Sequence, residues 1–144
     1  MSVASIDVET EKALVERAIR DCIEWPFPEK DVERLYGSVA HEESFFIFHP
    51  DSKSTVTCYD EFKHMIKTVF LDDRLHPEST VIKDLRINLN PGADTAWFSC
   101  MLDDVGTFGD RKWEWLDCRW TGVLQKTDEG WKLFQMHFSL AKDD

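Results

Sequence analysis

The segment from Arg119 to Ser139 constrains this chain more than any other. Two runs rich in β-branched and aromatic residues flank Thr127-Asp128-Glu129-Gly130, whose acidic residues favour turning and whose glycine takes positive φ without steric cost. The pattern predicts a β-hairpin. Large apolar residues fall on both parities: Trp120, Val123 and Leu124 on the first strand, then Trp131, Leu133, Phe134, Met136 and Phe138 on the second. A strand apolar on one parity has one wet face, so these two strands are expected to be covered on both.

Upstream, the periodicity is helical first and strand-like later. Leu14, Val15, Ala18, Ile19, Cys22 and Ile23 form one stripe, with Ser5 or Asp7 as cap, and Pro26 ends the helix near Glu24-Trp25. A short helix is predicted over 29–36, with Val32, Leu35 and Tyr36 inward and Gly37 as a left-handed stop. The run Ser44 to Phe48 reads as a buried strand closed by His49-Pro50-Asp51. Phe62, Met65, Ile66, Val69 and Phe70 form a third helical stripe, capped by Thr57 or Asp60; at that spacing Met and aromatic residues are core. Strands follow over 80–89 and 95–102, a loop over 103–110, and a strand over 112–126 so long that a bend or bulge is expected in it. The order predicts an α+β fold with an antiparallel sheet, in a single domain over 1–144.

Thr121-Gly-Val-Leu-Gln-Lys-Thr-Asp-Glu-Gly-Trp-Lys-Leu-Phe-Gln-Met-His-Phe-Ser139 resembles the final hairpin of the SnoaL-like proteins, in the nuclear transport factor 2-like superfamily. It is also similar to the end of the calcium/calmodulin-dependent kinase II association domain, sharing Thr121, Val123, Asp128, Trp131, His137 and Ser139. The resemblance implies three N-terminal helices packed in a strongly curved, mixed, mostly antiparallel sheet, a cone with a pocket inside. In the kinase domain, arginines reach into the pocket from positions matching Gly122 and Phe138. In ketosteroid isomerases the oxyanion-hole aspartate also matches Gly122. Both resemblances place even-numbered residues inside, so Cys118, Trp120, Gly122, Phe134, Met136 and Phe138 are the expected ligand-binding wall. Arg119, Thr121, Gln135, His137 and Ser139 then lie outside, on a face through which this family often forms dimers; Trp113 and Trp115 are expected there too. A bulge would invert the assignment. A wall of Trp, Met and Phe without a cation favours a small apolar ligand.

The resemblance also singles out His49 as the candidate catalytic residue. In ketosteroid isomerases the general-base aspartate precedes a proline at the end of the first strand, as His49 precedes Pro50. A histidine suits proton transfer near neutral pH. Steroid isomerisation itself is not expected, because Gly122 stands where the oxyanion-hole aspartate would be, and helix one holds no tyrosine to supply a second donor. Isomerase, cyclase, dehydratase or hydrolase variants need only an acid or base in a dry pocket. The competing reading is a non-catalytic ligand-binding or dimerisation module. His137 and Ser139 share one strand face without an orienting third group, and His41, His64 and His76 show no metal-ligand spacing, so no metal or cofactor is expected.

Charge narrows the partners. With 28 acidic against 17 basic residues, the formal net charge of -11 repels phosphate backbones and anionic lipid, so neither nucleic acid nor a membrane surface is an expected partner. The first residues show neither a basic n-region nor an apolar h-region, which points to a soluble, cytoplasmic protein. Cys22, Cys58, Cys100 and Cys118 are widely spaced in apolar stretches and read as reduced core thiols.

Overall fold

A computed structural model describes residues 7–143. Helix α1 spans Val8–Glu24, and the carboxylate of Asp7 caps it by accepting the Thr10 N–H at 3.2 Å. Ser5, the alternative cap, lies outside the described residues. Val15, Ala18, Ile19 and Cys22 form the buried stripe, whereas Leu14 is exposed. Glu11 ties the start of this helix to the last hairpin, accepting from Lys126 Nζ at 2.6 Å and from Trp131 Nε1 at 2.7 Å.

Helix α2 covers Val32–Tyr36 only, capped by Asp31. Gly37 is not a left-handed stop. Its φ is -70°, because its N–H continues the helical turn to Glu33 O. Strand β1, Phe46–Phe48, is shorter than the apolar run, and Asp51 starts a single 3-10 turn over Ser52–Ser54. Helix α3, Tyr59–Met65, widens into a π turn over Ile66–Phe70. Its N-cap is Cys58, with no side-chain hydrogen bond. Thr57 instead gives its N–H and hydroxyl to Glu61, both at 2.9 Å.

Four long strands follow: β2, Leu75–Leu89; β3, Thr95–Phe108; β4, Arg111–Thr127; and β5, Gly130–Ser139. The sheet order is β1-β5-β4-β3-β2, with β1 parallel to β5 and every other pair antiparallel. This is the α+β arrangement of helices against a mixed, mostly antiparallel sheet. The hairpin turns at Thr127 to Gly130, and Gly130 has a φ of +106°. Strand β2 starts ahead of the predicted residue 80 despite Pro77. The proline lies on an edge strand at a register shift, where its missing N–H costs little.

The predicted loop over 103–110 is mostly strand. Its alternation is hidden because Asp103 faces outward to Lys83 at 3.1 Å, while Gly106 pairs with Trp113. The chain reverses only at Gly109, with φ +63°.

The predicted irregularity in the long strand is real, and β5 carries a second one. Leu102 pairs with Cys118 but Asp104 with Trp115, so Leu116 and Asp117 of β4 stand opposite the single Asp103 of β3, one extra residue on β4, with Asp117 at φ +53°. Val123 pairs with Gln135 but Leu124 with Leu133, which leaves Phe134 unpaired on β5. Each bulge resets which parity faces the helices. The concave face buries Phe98, Cys100, Leu102, Cys118, Trp120, Leu124, Leu133, Met136 and Phe138 against Val15, Ile19, Cys22, Leu35 and Phe62. Burying each large side chain contributes about 1.5–3 kcal/mol. Among the described residues no helix is long and apolar enough to cross a membrane.

Candidate functional site

His49 directly follows β1, which pairs Phe48 with His137, so the next residue arrives beside Phe138. Its imidazole stacks on the Phe138 ring at 5.3 Å between centroids and 5° between planes. Phe138 stacks in turn on Trp120 at 5.3 Å and 11°, and Phe98 meets Trp120 edge-on at 5.0 Å. Trp115 closes the group, 5.8 Å from Phe138 and 6.3 Å from His49.

The backbone fixes the tautomer of His49. Nδ1 lies 2.6 Å from Ser54 O, and a carbonyl can only accept, so Nδ1 carries the proton. In the neutral ring Nε2 is then the acceptor, with no hydrogen-bond partner among the described residues. Burial pushes the pKa of His49 down, against opposing contributions from the Ser54 carbonyl and Asp51. A neutral imidazole with a free Nε2 lone pair is a competent proton acceptor at neutral pH.

Of the six residues expected to form the wall, the structure brings five together on the concave face. Cys118, Trp120, Gly122, Met136 and Phe138 are all buried there. Gly122 makes room for Phe98, whose ring would lie 2.7 Å from a Cβ. Met136 packs its sulfur 3.6 Å from Cys22 Sγ. Phe134 is not part of this face. As the bulged residue of β5 it is half-buried and lines a separate groove of about 370 Å³ with Tyr36, His41, Asp128 and Lys132.

Trp115 and Trp113 are not on the outer face. The one-residue bulge at Leu116-Asp117 swings them inward and leaves Leu116 exposed. The same switch sets Trp115 beside its register partner Asp104, whose Oδ1 accepts from Thr80 Oγ1 at 2.7 Å. Burial pushes the pKa of Asp104 up, while hydrogen bonds from Thr80 and Trp113 work against it. Asp104 and Thr80 were not singled out from the sequence, and Trp115 was expected on the outer face. One signal was present: the bulky residues of β4 change parity between Trp115 and Cys118, as one extra residue requires.

Other chemistry is weak here. Burial pushes the Cys100 thiol up to about 12 and Cys118 up to about 11, so neither supplies a thiolate near neutral pH. Among the described residues no group of three His, Cys, Asp or Glu side chains is arranged to hold a metal ion. His137 is exposed on the outer face, edge-on to Phe48 at 5.7 Å. Trp120 Nε1 is buried without a hydrogen-bond partner among the described residues.

The concave sheet closed over helices, with polar groups at one end of an aromatic interior, is the architecture of the nuclear transport factor 2-like fold. Residues 15–143 match the SnoaL-like domain, and the chain belongs to that family. A nuclear transport factor 2-like superfamily protein from Salmonella enterica is 13% identical, with a TM-score of 0.75, covering 96% of each chain. A proposed dehydratase of this family from Streptomyces avermitilis is 18% identical, TM-score 0.72, covering 95% of this chain and 100% of its own. The calcium/calmodulin-dependent kinase II hub homology domain of Chlamydomonas reinhardtii is 16% identical, TM-score 0.62, again covering 95% and 100%. At these identities the likeness shows the fold. No curated protein matches the sequence.

Proposed function

We propose that this chain binds a small, mostly apolar molecule against the aromatic end of its concave face, with His49 Nε2 as a general base toward it. The observation that carries the reading is the seating of His49. Its ring is held flat on Phe138 and its Nδ1–H is committed to Ser54 O, which leaves one basic atom beside Trp115. Aromatic and aliphatic walls with few polar groups are what small-molecule sites on such folds are made of. The name of the Streptomyces relative, a proposed dehydratase, agrees with acid–base chemistry. Assembly into a homodimer through the outer sheet face belongs to the same reading, because Phe48 and Trp97 are 45% and 47% exposed there.

A substrate screen over small ketones, enols and epoxides tests the catalytic half. Replacing His49 by Ala should lower turnover by about two to four orders of magnitude with little change in substrate affinity. Full activity in that variant would leave a binding module without catalysis.

A further inference from the structure

Asp103 and Asp104 are neighbours with opposite circumstances. Asp103 faces outward and is well satisfied: it accepts the Asp117 N–H at 2.8 Å and pairs with Lys83 at 3.1 Å. Asp104 faces the concave side, is half-buried, and pairs with no cation among the described residues. An ionised carboxylate offers about four acceptor positions, and the Thr80 hydroxyl, at 2.7 Å, fills one of them. Acceptor capacity is left over. Burying a carboxylate without a cation costs stability, so the sheet holds this group where an apolar residue would fold more easily.

The placement gives that cost a use. Thr80, Asp104 and Trp115 are register partners across β2, β3 and β4, so their side chains stand in one row on one face. Trp115 reaches from that row toward Phe138 and His49. His49 and Asp104 therefore stand on either side of one indole, a flat apolar surface bounded by an imidazole and a carboxylate.

We propose that Asp104 is a specificity-determining residue of this site, accepting a hydrogen bond from a hydroxyl group on a flat, apolar ligand that lies over Trp115. The inference rests on the ligand-binding reading above and adds the chemical class: a ring-bearing alcohol, enol or phenol rather than a hydrocarbon. Thr80 and Trp113 orient the carboxylate, and the bulge at Leu116-Asp117 puts Trp115 beside it.

The test compares three probes of nearly equal shape, 2-naphthol, 2-methoxynaphthalene and naphthalene, by titration calorimetry or tryptophan fluorescence. The wild-type protein is expected to bind 2-naphthol at least tenfold more tightly than the other two, as a hydrogen bond to a charged acceptor gives. Asp104→Leu should erase that preference while keeping the naphthalene affinity. Asp104→Asn retains an acceptor for Thr80, guards against a folding artefact, and should keep a reduced preference. Equal binding of all three probes by the wild type, or a preference that survives Asp104→Leu, overturns the role of Asp104 and leaves the ligand-binding reading standing. Binding of none of the three overturns both.

Discussion

Trp113 covers the bare α-carbon of Gly106, its register partner across β3 and β4, so closely that a Cβ there would overlap the indole ring. On its other side the same Cβ would stand 2.8 Å from the His76 carbonyl oxygen, which belongs to backbone and cannot give way cheaply. Glycine at 106 is thus what lets an indole lie on the strand beside Asp104.

Gly106→Ala should cost about 1–3 kcal/mol, the usual range for overpacking, and lower the melting temperature by roughly 4 °C or more. Because Trp113 must move, tryptophan fluorescence of the folded variant should shift as well. A variant that melts with the wild type and shows its spectrum would mean the indole relocates freely and is not fixed by the glycine.

How much of this was legible beforehand depends on the bulges. Leu133, Met136 and Phe138 are large and apolar, so the final hairpin and the fold could be read from apolar content alone. The order of helices and strands needed nothing more. The identity of the inward residues on the first half of β4 could not be read that way. One extra residue at Leu116-Asp117 reverses the facing of Trp113 and Trp115, and one at Phe134 removes that ring from the concave face. A period-2 pattern carries no marker for such a switch beyond the change in parity itself. His49 was easier, since Pro50 ends the ladder and the strand delivers the preceding residue to a defined place. Asp104 was hidden because Asp103-Asp104 reads as a charged loop until the register separates the two faces.

The outer face supplies the second prediction. Trp97 and Phe48 are exposed there, and Phe46, Met101 and Val123 are half-buried among them. Stable homodimers bury about 800 Å² per partner with aromatic residues near the centre. Trp97→Glu should convert a dimer into the 16.9 kDa monomer at micromolar concentration while the far-ultraviolet circular dichroism is unchanged. Sedimentation equilibrium decides this; a wild-type protein that is already monomeric removes the outer face as an interface.

Asp104 yields a third prediction, on stability. Burial raises its folded pKa above the ordinary 3.8, so between those two values the folded state holds a proton that the unfolded chain has lost. Its contribution to stability therefore falls as pH rises through that window, and the whole cost is present at pH 7. Asp104→Asn removes the charge and keeps an acceptor for Thr80. It should raise the melting temperature at pH 7, and the gain should shrink as the pH is lowered toward 4. A variant less stable than the wild type at pH 7 would show that the carboxylate is held favourably after all.

His49 titrates with the opposite consequence. Burial lowers its folded pKa below 6.5, so in the interval beneath 6.5 the unfolded chain binds a proton that the folded protein does not. The stability associated with the neutral, stacked ring is fully present above pH 6.5 and is lost as pH falls through the folded pKa. His49→Gln replaces the titrating ring with a neutral amide, and so should flatten the part of the stability–pH curve just below 6.5. The substitution also gives up the stacking on Phe138, which should cost about 1 kcal/mol at pH 7.5, where the histidine is uncharged in both states. Denaturant unfolding at pH 7.5 and at several values below 6.5 separates the two effects. If the curve of the variant ran parallel to that of the wild type throughout, His49 would be no more buried in solution than a surface histidine. The free Nε2 would then lose its claim to be a base poised in a dry site.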